Sequence, residues 1–342
     1  MLGRLSIMRF HTLQAVFLPL LLLLLLECGL EVRASRRGFE TLLFGTDPCG
    51  MVGATPGYGP TLAWPYRSRI PVPEDKARRI WLASGSYLDD VHMNPAQNAA
   101  SVLNELLGPE LLIVNHSGAG WDAAHNTSEM LAAGEEALPD VAVLYQLTND
   151  LTAISRGDAS KGQRGVGGPG PGSRLSALIE RTTIYAHLTT MLTTRLAAAA
   201  VLEDGLDDEH ATRFEERLRA FVGACRSREV VPVLCTLARS CAGQDVNGLT
   251  PAERSNMLRY LRRLSPLGWL RTIDRWNAII RRVAADEQLV LIDLDRSMTG
   301  RRELFRDLTH LTVLGHRTLA AHLESGLKPL LVPREEAAGG NR

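Results

Sequence analysis

Residues 80–86 read IWLASGS, an apolar run of Ile80, Trp81, Leu82 and Ala83 that stops at Ser84, Gly85 and Ser86. A run this short, bounded by turn-forming residues, has the length of a buried strand rather than of a helix. Four more runs share the pattern: Leu111–Val114, Val141–Leu147, Val230–Leu234 and Leu289–Ile292. Helical spacings lie between them. Asn98–Leu107 places Val102, Leu103, Leu106 and Leu107 on one face and stops at Gly108, while Arg174–Leu202 is long and rich in Ala and Leu. Glu209–Cys225 and Leu270–Asp286 precede the fourth and fifth runs with apolar residues at helical spacing. Strands alternating with helices predict a parallel sheet covered on both faces, and right-handed crossovers make it a three-layer α/β/α domain with five strands.

An open parallel sheet binds ligands beyond the carboxyl ends of its strands, so the residues after each run are the candidates. They are Ser84-Gly85-Ser86, then Asn115 to Gly120, then Thr148-Asn149-Asp150, then Cys235-Thr236, then Asp293. Further on comes LFRDLTHLTVLGH, residues 304–316, in which Asp307 and His310 are three apart and one tight turn brings carboxylate to imidazole. An acid so placed fixes the ring's tautomer and leaves the other nitrogen to take a proton. By itself the pair reads equally well as two helix-capping side chains. A serine on a tight turn, glycine and asparagine amides and a His–Asp pair are together the parts for acyl transfer: nucleophile, oriented base and oxyanion donors.

Composition excludes other classes. The 342 residues are 45% hydrophobic, enough for a full core, and 38 basic side chains balance 38 acidic ones. That balance leaves no basic stripe for nucleic acid. Cys28, Cys49, Cys225, Cys235 and Cys241 show no metal-ligand spacing, so no metal and no cofactor are expected, and Cys235 with Cys241 is a candidate disulfide. His92, His116 and His125 have no carboxylate or thiol at ligand spacing and read as surface or loop side chains; His316 and His322 read as packing or solvent residues. Asp150 is expected to brace the Asn149 loop and Asp293 to cap or bond a loop. Trp121 either walls a pocket or packs. Asn115-His-Ser and Asn126-Thr-Ser fit the glycosylation triplet. No protein partner is indicated.

Residues 1–34 carry Arg4 and Arg9 ahead of an apolar run from Leu13 to Leu26, broken by Glu27. The run is short for a bilayer span and Val32-Arg33-Ala34 suits a signal peptidase, so this is a signal peptide or an N-terminal membrane anchor. A secreted, periplasmic or cell-envelope location follows. Residues 35–78 form a Gly/Pro-rich arm, 79–330 the main domain, and 331–342 a disordered tail. The Gly-rich stretch 156–173 reads as a mobile loop, either a flap over the site or an insertion, and lacks the setting of a phosphate cradle.

Four of these strand-end motifs, in order, resemble those of the SGNH (GDSL-like) hydrolase superfamily over residues 79–328. DLTHLTVLGH is similar to its Asp-x-x-His block; ASGS, residues 83–86, stands where that family carries Gly-Asp-Ser. VNHSGAG and QLTND are similar to its second and third blocks. The resemblance implies a flavodoxin-like sheet, Ser86 as nucleophile, His310 and Asp307 as base and orienter, and an oxyanion hole of the Ser86 and Gly120 amides with the Asn149 side chain. Ser84, Gly85 and Leu147 depart from the pattern, and either Ser84 or Ser86 lies near the turn; Ser86 is favoured because the strand should end near Ala83. The function implied is an esterase acting on acyl esters of a carbohydrate, lipid or small molecule. An envelope-polysaccharide O-acyltransferase and a non-catalytic glycan-binding relative remain alternatives.

Overall fold

The computed structural model describes residues 18–19, 21–30, 32, 78–88, 97–108, 110–118, 120–155, 184, 188, 191, 202–261 and 263–331. Cys49, His92, the arm before Arg78, the Gly-rich stretch, most of the Arg174–Leu202 pattern and residues 332–342 lie outside them. Two compact units are formed, Tyr58–Gln163 with Ala200–Arg342, and Met1–Gly57 with Arg164–Ala199. In the second of these, residues 21–30 are helical and the buried Glu27 carboxylate accepts the Ile184 backbone N–H at 2.8 Å. Among the described residues no helix is long and apolar enough to cross a membrane.

The first unit runs β1 (Arg78–Ser84), α1 (Ala99–Leu107), β2 (Leu111–Ser117), α2 (Ala123–Ala132), β3 (Val141–Tyr145), α3 (Thr148–Ser155), α4 (Asp208–Ser227), β4 (Val231–Cys235), α5 (Pro251–Tyr260), α6 (Pro266–Asp286), β5 (Val290–Ile292), α7 (Leu294–Met298) and α8 (Val313–Leu331). The five strands are all parallel in the order β2-β1-β3-β4-β5, the flavodoxin-like order. From Ile80 to Ser84 no residue is more than 5% exposed, which is why the run shows no polar alternation: helices cover both faces. One layer is α1 packed on α8; the other is α2, α4 and α6 side by side. Phe214 of α4 stacks on Trp276 of α6 at 4.2 Å between ring centroids, worth about 0.5–1.5 kcal/mol beyond the area buried.

Register aligns the strand ends. Ser84 pairs with Ser117 on one side and Tyr145 on the other, Tyr145 with Cys235, and Cys235 with Ile292. All five following loops therefore leave from one edge, beside the point between β1 and β3 where chain order reverses.

Helix starts are set by local chemistry. Asn98 caps α1 by accepting from Ser101 N, Asp122 caps α2 by accepting from His125 N, and Thr250 with Glu253 closes a capping box ahead of Pro251. On α1 the expected face is shifted: Ala99, Ala100 and Leu103 are buried, whereas Leu106 is 45% exposed. Small alanines let α8 approach closely, and Leu106 falls at the open margin between the two helices.

The Cys235–Cys241 bridge that the sequence left open is not formed; both thiols are free and buried. Cys235 is held in the ladder between Tyr145 and Ile292, while Cys241 lies in the loop that Arg239 closes by donating to its carbonyl. Burial raises both thiol pKa values, which disfavours the thiolate a disulfide requires.

Candidate active site

The strand β1 ends one residue later than expected, at Ser84, and the two serines part there. Ser84 is fully buried and its hydroxyl donates to the Tyr145 carbonyl at 2.6 Å, a bond inside the sheet. Ser86 is turned outward by Gly85, half-buried, with Oγ 2.9 Å from His310 Nε2.

His310 reaches it from a tight loop between α7 and α8. Arg306 N donates to the His310 carbonyl at 2.8 Å and Phe305 bridges Leu311 in antiparallel fashion, so residues 307–309 must turn sharply. Inside that turn Asp307 Oδ1 accepts the Thr309 and His310 backbone N–H groups at 3.0 and 2.9 Å. Its Oδ2 lies 2.8 Å from His310 Nδ1. Gly315 allows the first turn of α8 to lie on this loop, since a Cβ there would be 2.1 Å from the Leu304 carbonyl oxygen. From β4's side, Ser240 N donates to the Leu308 carbonyl at 2.9 Å, and the Ser240 hydroxyl is tied to Glu253, which also pairs with Arg302.

Burial works to raise the Asp307 pKa, but the bonds from His310 and Thr309 outweigh it and hold the carboxyl down at about 2. The acid is ionised at any ordinary pH, and an imidazole that donates Nδ1–H to it presents Nε2 as acceptor to Ser86.

The oxyanion candidates come from the next two strand ends. Gly120 has φ +80, a conformation natural to glycine. Asn149, in the first turn of α3, directs Nδ2 at the Trp121 carbonyl, 2.7 Å away, which uses one of its two N–H donors. Gln146 donates to the same carbonyl at 2.5 Å. The amide of Asn149 lies directly over Gly85: a Cβ there would be 2.3 Å from Nδ2 and 2.8 Å from the Trp121 oxygen. The glycine that departs from the family's motif is thus the space the amide occupies. Gly85→Ala is expected to displace the Asn149 amide; if that amide serves as an oxyanion donor, turnover should fall by on the order of 10²–10³, the loss typical of one such donor, and kcat measured on folded protein checks it.

Other candidates have structural partners. Asp293 caps α7 and pairs with Arg281, bonded at 2.7 and 2.9 Å. His116 stacks on Trp81 at 3.8 Å and faces Glu129; His125 lies 2.6 Å from Asp122; buried His316 accepts from Ala99 N at 3.2 Å. The His322 pKa is lowered by burial and by Arg301. Both glycosylation triplets are closed: Asn115 Nδ2 donates to the Leu88 carbonyl and buried Asn126 Nδ2 to the Asp122 carbonyl. The indole of Trp121 packs over Gly118. Sequence reading missed the Tyr87 hydroxyl, which accepts from Thr148 N at 2.9 Å and fastens the β1 turn to the β3 turn. A tyrosine directly after the serine was its only signal. Tyr87 is fully buried, and burial raises its pKa, keeping the phenol neutral.

No family model matches the chain, and no curated protein matches it. Solved structures do. They include a GDSL-like lipase from Bacteroides thetaiotaomicron, 10% identical over 76% of this chain and 92% of that one, with a TM-score of 0.45. TesA is 15% identical, with 74% of this chain and 100% of that chain covered at a TM-score of 0.44. The lipase/acylhydrolase from Enterococcus faecalis is 16% identical over 75% of this chain and 98% of that one, with a TM-score of 0.45. An acetyl xylan esterase, AlAXEase, is 17% identical over 73% and 99%, with a TM-score of 0.42.

Proposed function

We propose that the chain is a serine-dependent ester hydrolase of the SGNH type. One observation carries this: a partly exposed hydroxyl 2.9 Å from an imidazole nitrogen whose other nitrogen is 2.8 Å from an ionised carboxylate. A His–Asp pair placed only to cap a helix would have no reason to meet a serine 224 positions away.

In this mechanism His310 Nε2 takes the Ser86 proton as Oγ attacks the ester carbonyl. Asp307 holds the ring in the correct tautomer and stabilises the imidazolium. The oxyanion receives hydrogen bonds from the Ser86 and Gly120 amides and from the second N–H of Asn149. His310 then gives its proton to the leaving alcohol. Water enters, loses a proton to His310 and attacks the acyl-enzyme; collapse releases the acid and regenerates Ser86. All these steps are proton transfers and acyl exchange, and none needs a metal or cofactor.

The substrate is an acyl ester of a carbohydrate, lipid or small molecule, met outside the cytoplasm. The basic-then-apolar start of the chain supports that location. Two readouts test the reading together: turnover of p-nitrophenyl acetate, and mass-spectrometric mapping of a fluorophosphonate adduct. The expected result is turnover with the adduct on the peptide holding Ser86. Folded protein that neither turns over nor labels overturns it in favour of a binding role for the scaffold.

A further inference from the structure

We propose that Arg217 is a positioning residue that joins the Gly120 and Asn149 loops into one rigid wall of donors beside Ser86. The inference rests on the ester-hydrolase reading above. Each donor is followed closely by a buried acid: Asp122 comes two residues after Gly120, and Asp150 directly after Asn149, with exposures of 2% and 0%. A single nitrogen of Arg217, Nη1, lies 3.1 Å from Asp122 Oδ2 and 3.0 Å from Asp150 Oδ1. Asp150 also crosses between the loops, accepting Ala123 N at 3.1 Å on each oxygen, and Asn149 itself donates to the Trp121 carbonyl. With the Gln146 bond to the same Trp121 carbonyl, two loops that leave different strands are therefore tied at four points, one of them the Arg217 cation.

The cation is what makes the arrangement stable. Two carboxylates facing each other in a buried site cannot both ionise without one. Burial and the charge of Asp122 already push Asp150 up to about 6 against the pull of Arg217. Burial also works to raise Asp122, but the bonds from His125 and the charge of Arg217 keep it at about 2. Arg217 is delivered by a rigid element, since its neighbours Phe214, Leu218 and Phe221 bury the same helix α4 in the core. A donor wall is useful only if it is in place before charge develops, and a displacement near 1 Å can cost roughly 10²-fold. Removing the tie should therefore lower kcat and leave KM alone, because the oxyanion exists only beyond the ground state.

The test uses the full chain and p-nitrophenyl acetate, with rates normalised to folded protein by circular dichroism. Arg217→Lys retains the charge but lacks the guanidinium fork, and is expected to lower kcat by about tenfold with KM within about twofold; Arg217→Met should lower it about a hundredfold. If the methionine variant does not fold, the lysine variant carries the test. The decisive comparison is Arg217→Lys made in an Asn149→Ala background. There the kcat loss should shrink to less than about twofold, because the main group being positioned is already gone. An unchanged kcat in Arg217→Lys, or an equal loss in both backgrounds, overturns the proposal and leaves Arg217 a stabilising residue only. Absence of turnover in the unaltered protein is a different result, which removes the hydrolase reading and this role with it.

Discussion

Ser86→Ala is expected to lower ester turnover by about six orders of magnitude, near the rate left by donors and binding alone. The size follows from the geometry: Ser86 Oγ is the hydroxyl that the described residues place against His310 Nε2, and removing it takes away both the nucleophile and the proton that the base accepts. The neighbouring serine supplies the control. Ser84→Ala should keep full fluorophosphonate labelling and lose about 1 kcal/mol of stability, because its buried hydroxyl donates to the Tyr145 carbonyl inside the sheet. Labelling that survives in Ser86→Ala and vanishes in Ser84→Ala would reverse the assignment. Kinetics and urea midpoints of the two variants decide between the serines without any knowledge of the natural substrate.

The second large effect belongs to the orienting acid. Asp307→Asn should lower kcat by on the order of 10⁴, since a neutral amide at that position favours the wrong imidazole tautomer. The same carboxylate makes a pH-dependent contribution to stability. Its folded pKa is depressed to about 2 from an unfolded value of about 4. The contribution is thus complete above about pH 4 and is lost as the pH falls toward 2. Urea midpoints of the unaltered protein should drop across that window more steeply than those of the asparagine variant. Parallel curves would mean that the carboxylate gains nothing from its partners in the fold.

Much of this was legible in the chain, and the misses have physical causes. The five strands could be found because a sheet covered on both sides buries most residues of a short run, as in β1 and β3. Their ends were harder. β2 was expected to stop at Val114, yet it continues through Asn115, His116 and Ser117, which pair with Leu82, Ala83 and Ser84. Polar side chains conceal a strand from any reading based on hydrophobicity. Leu106 was expected on the buried face of α1 because its spacing suits a helix stripe; how close α8 approaches is not written locally. The free thiols of Cys235 and Cys241 likewise depend on surroundings that spacing does not describe.

Local pattern determined the order of strands and helices, the Asp307–His310 turn and the small-residue turn after β1, because these depend on neighbours within a few residues. Only the tertiary structure decided which serine meets the imidazole, why position 85 has no side chain, and how one arginine on α4 holds two acids from separate loops. Those outcomes depend on where parallel strands end relative to one another and on which groups lose their water together. Such distances and environments exist only after segments far apart in sequence have packed.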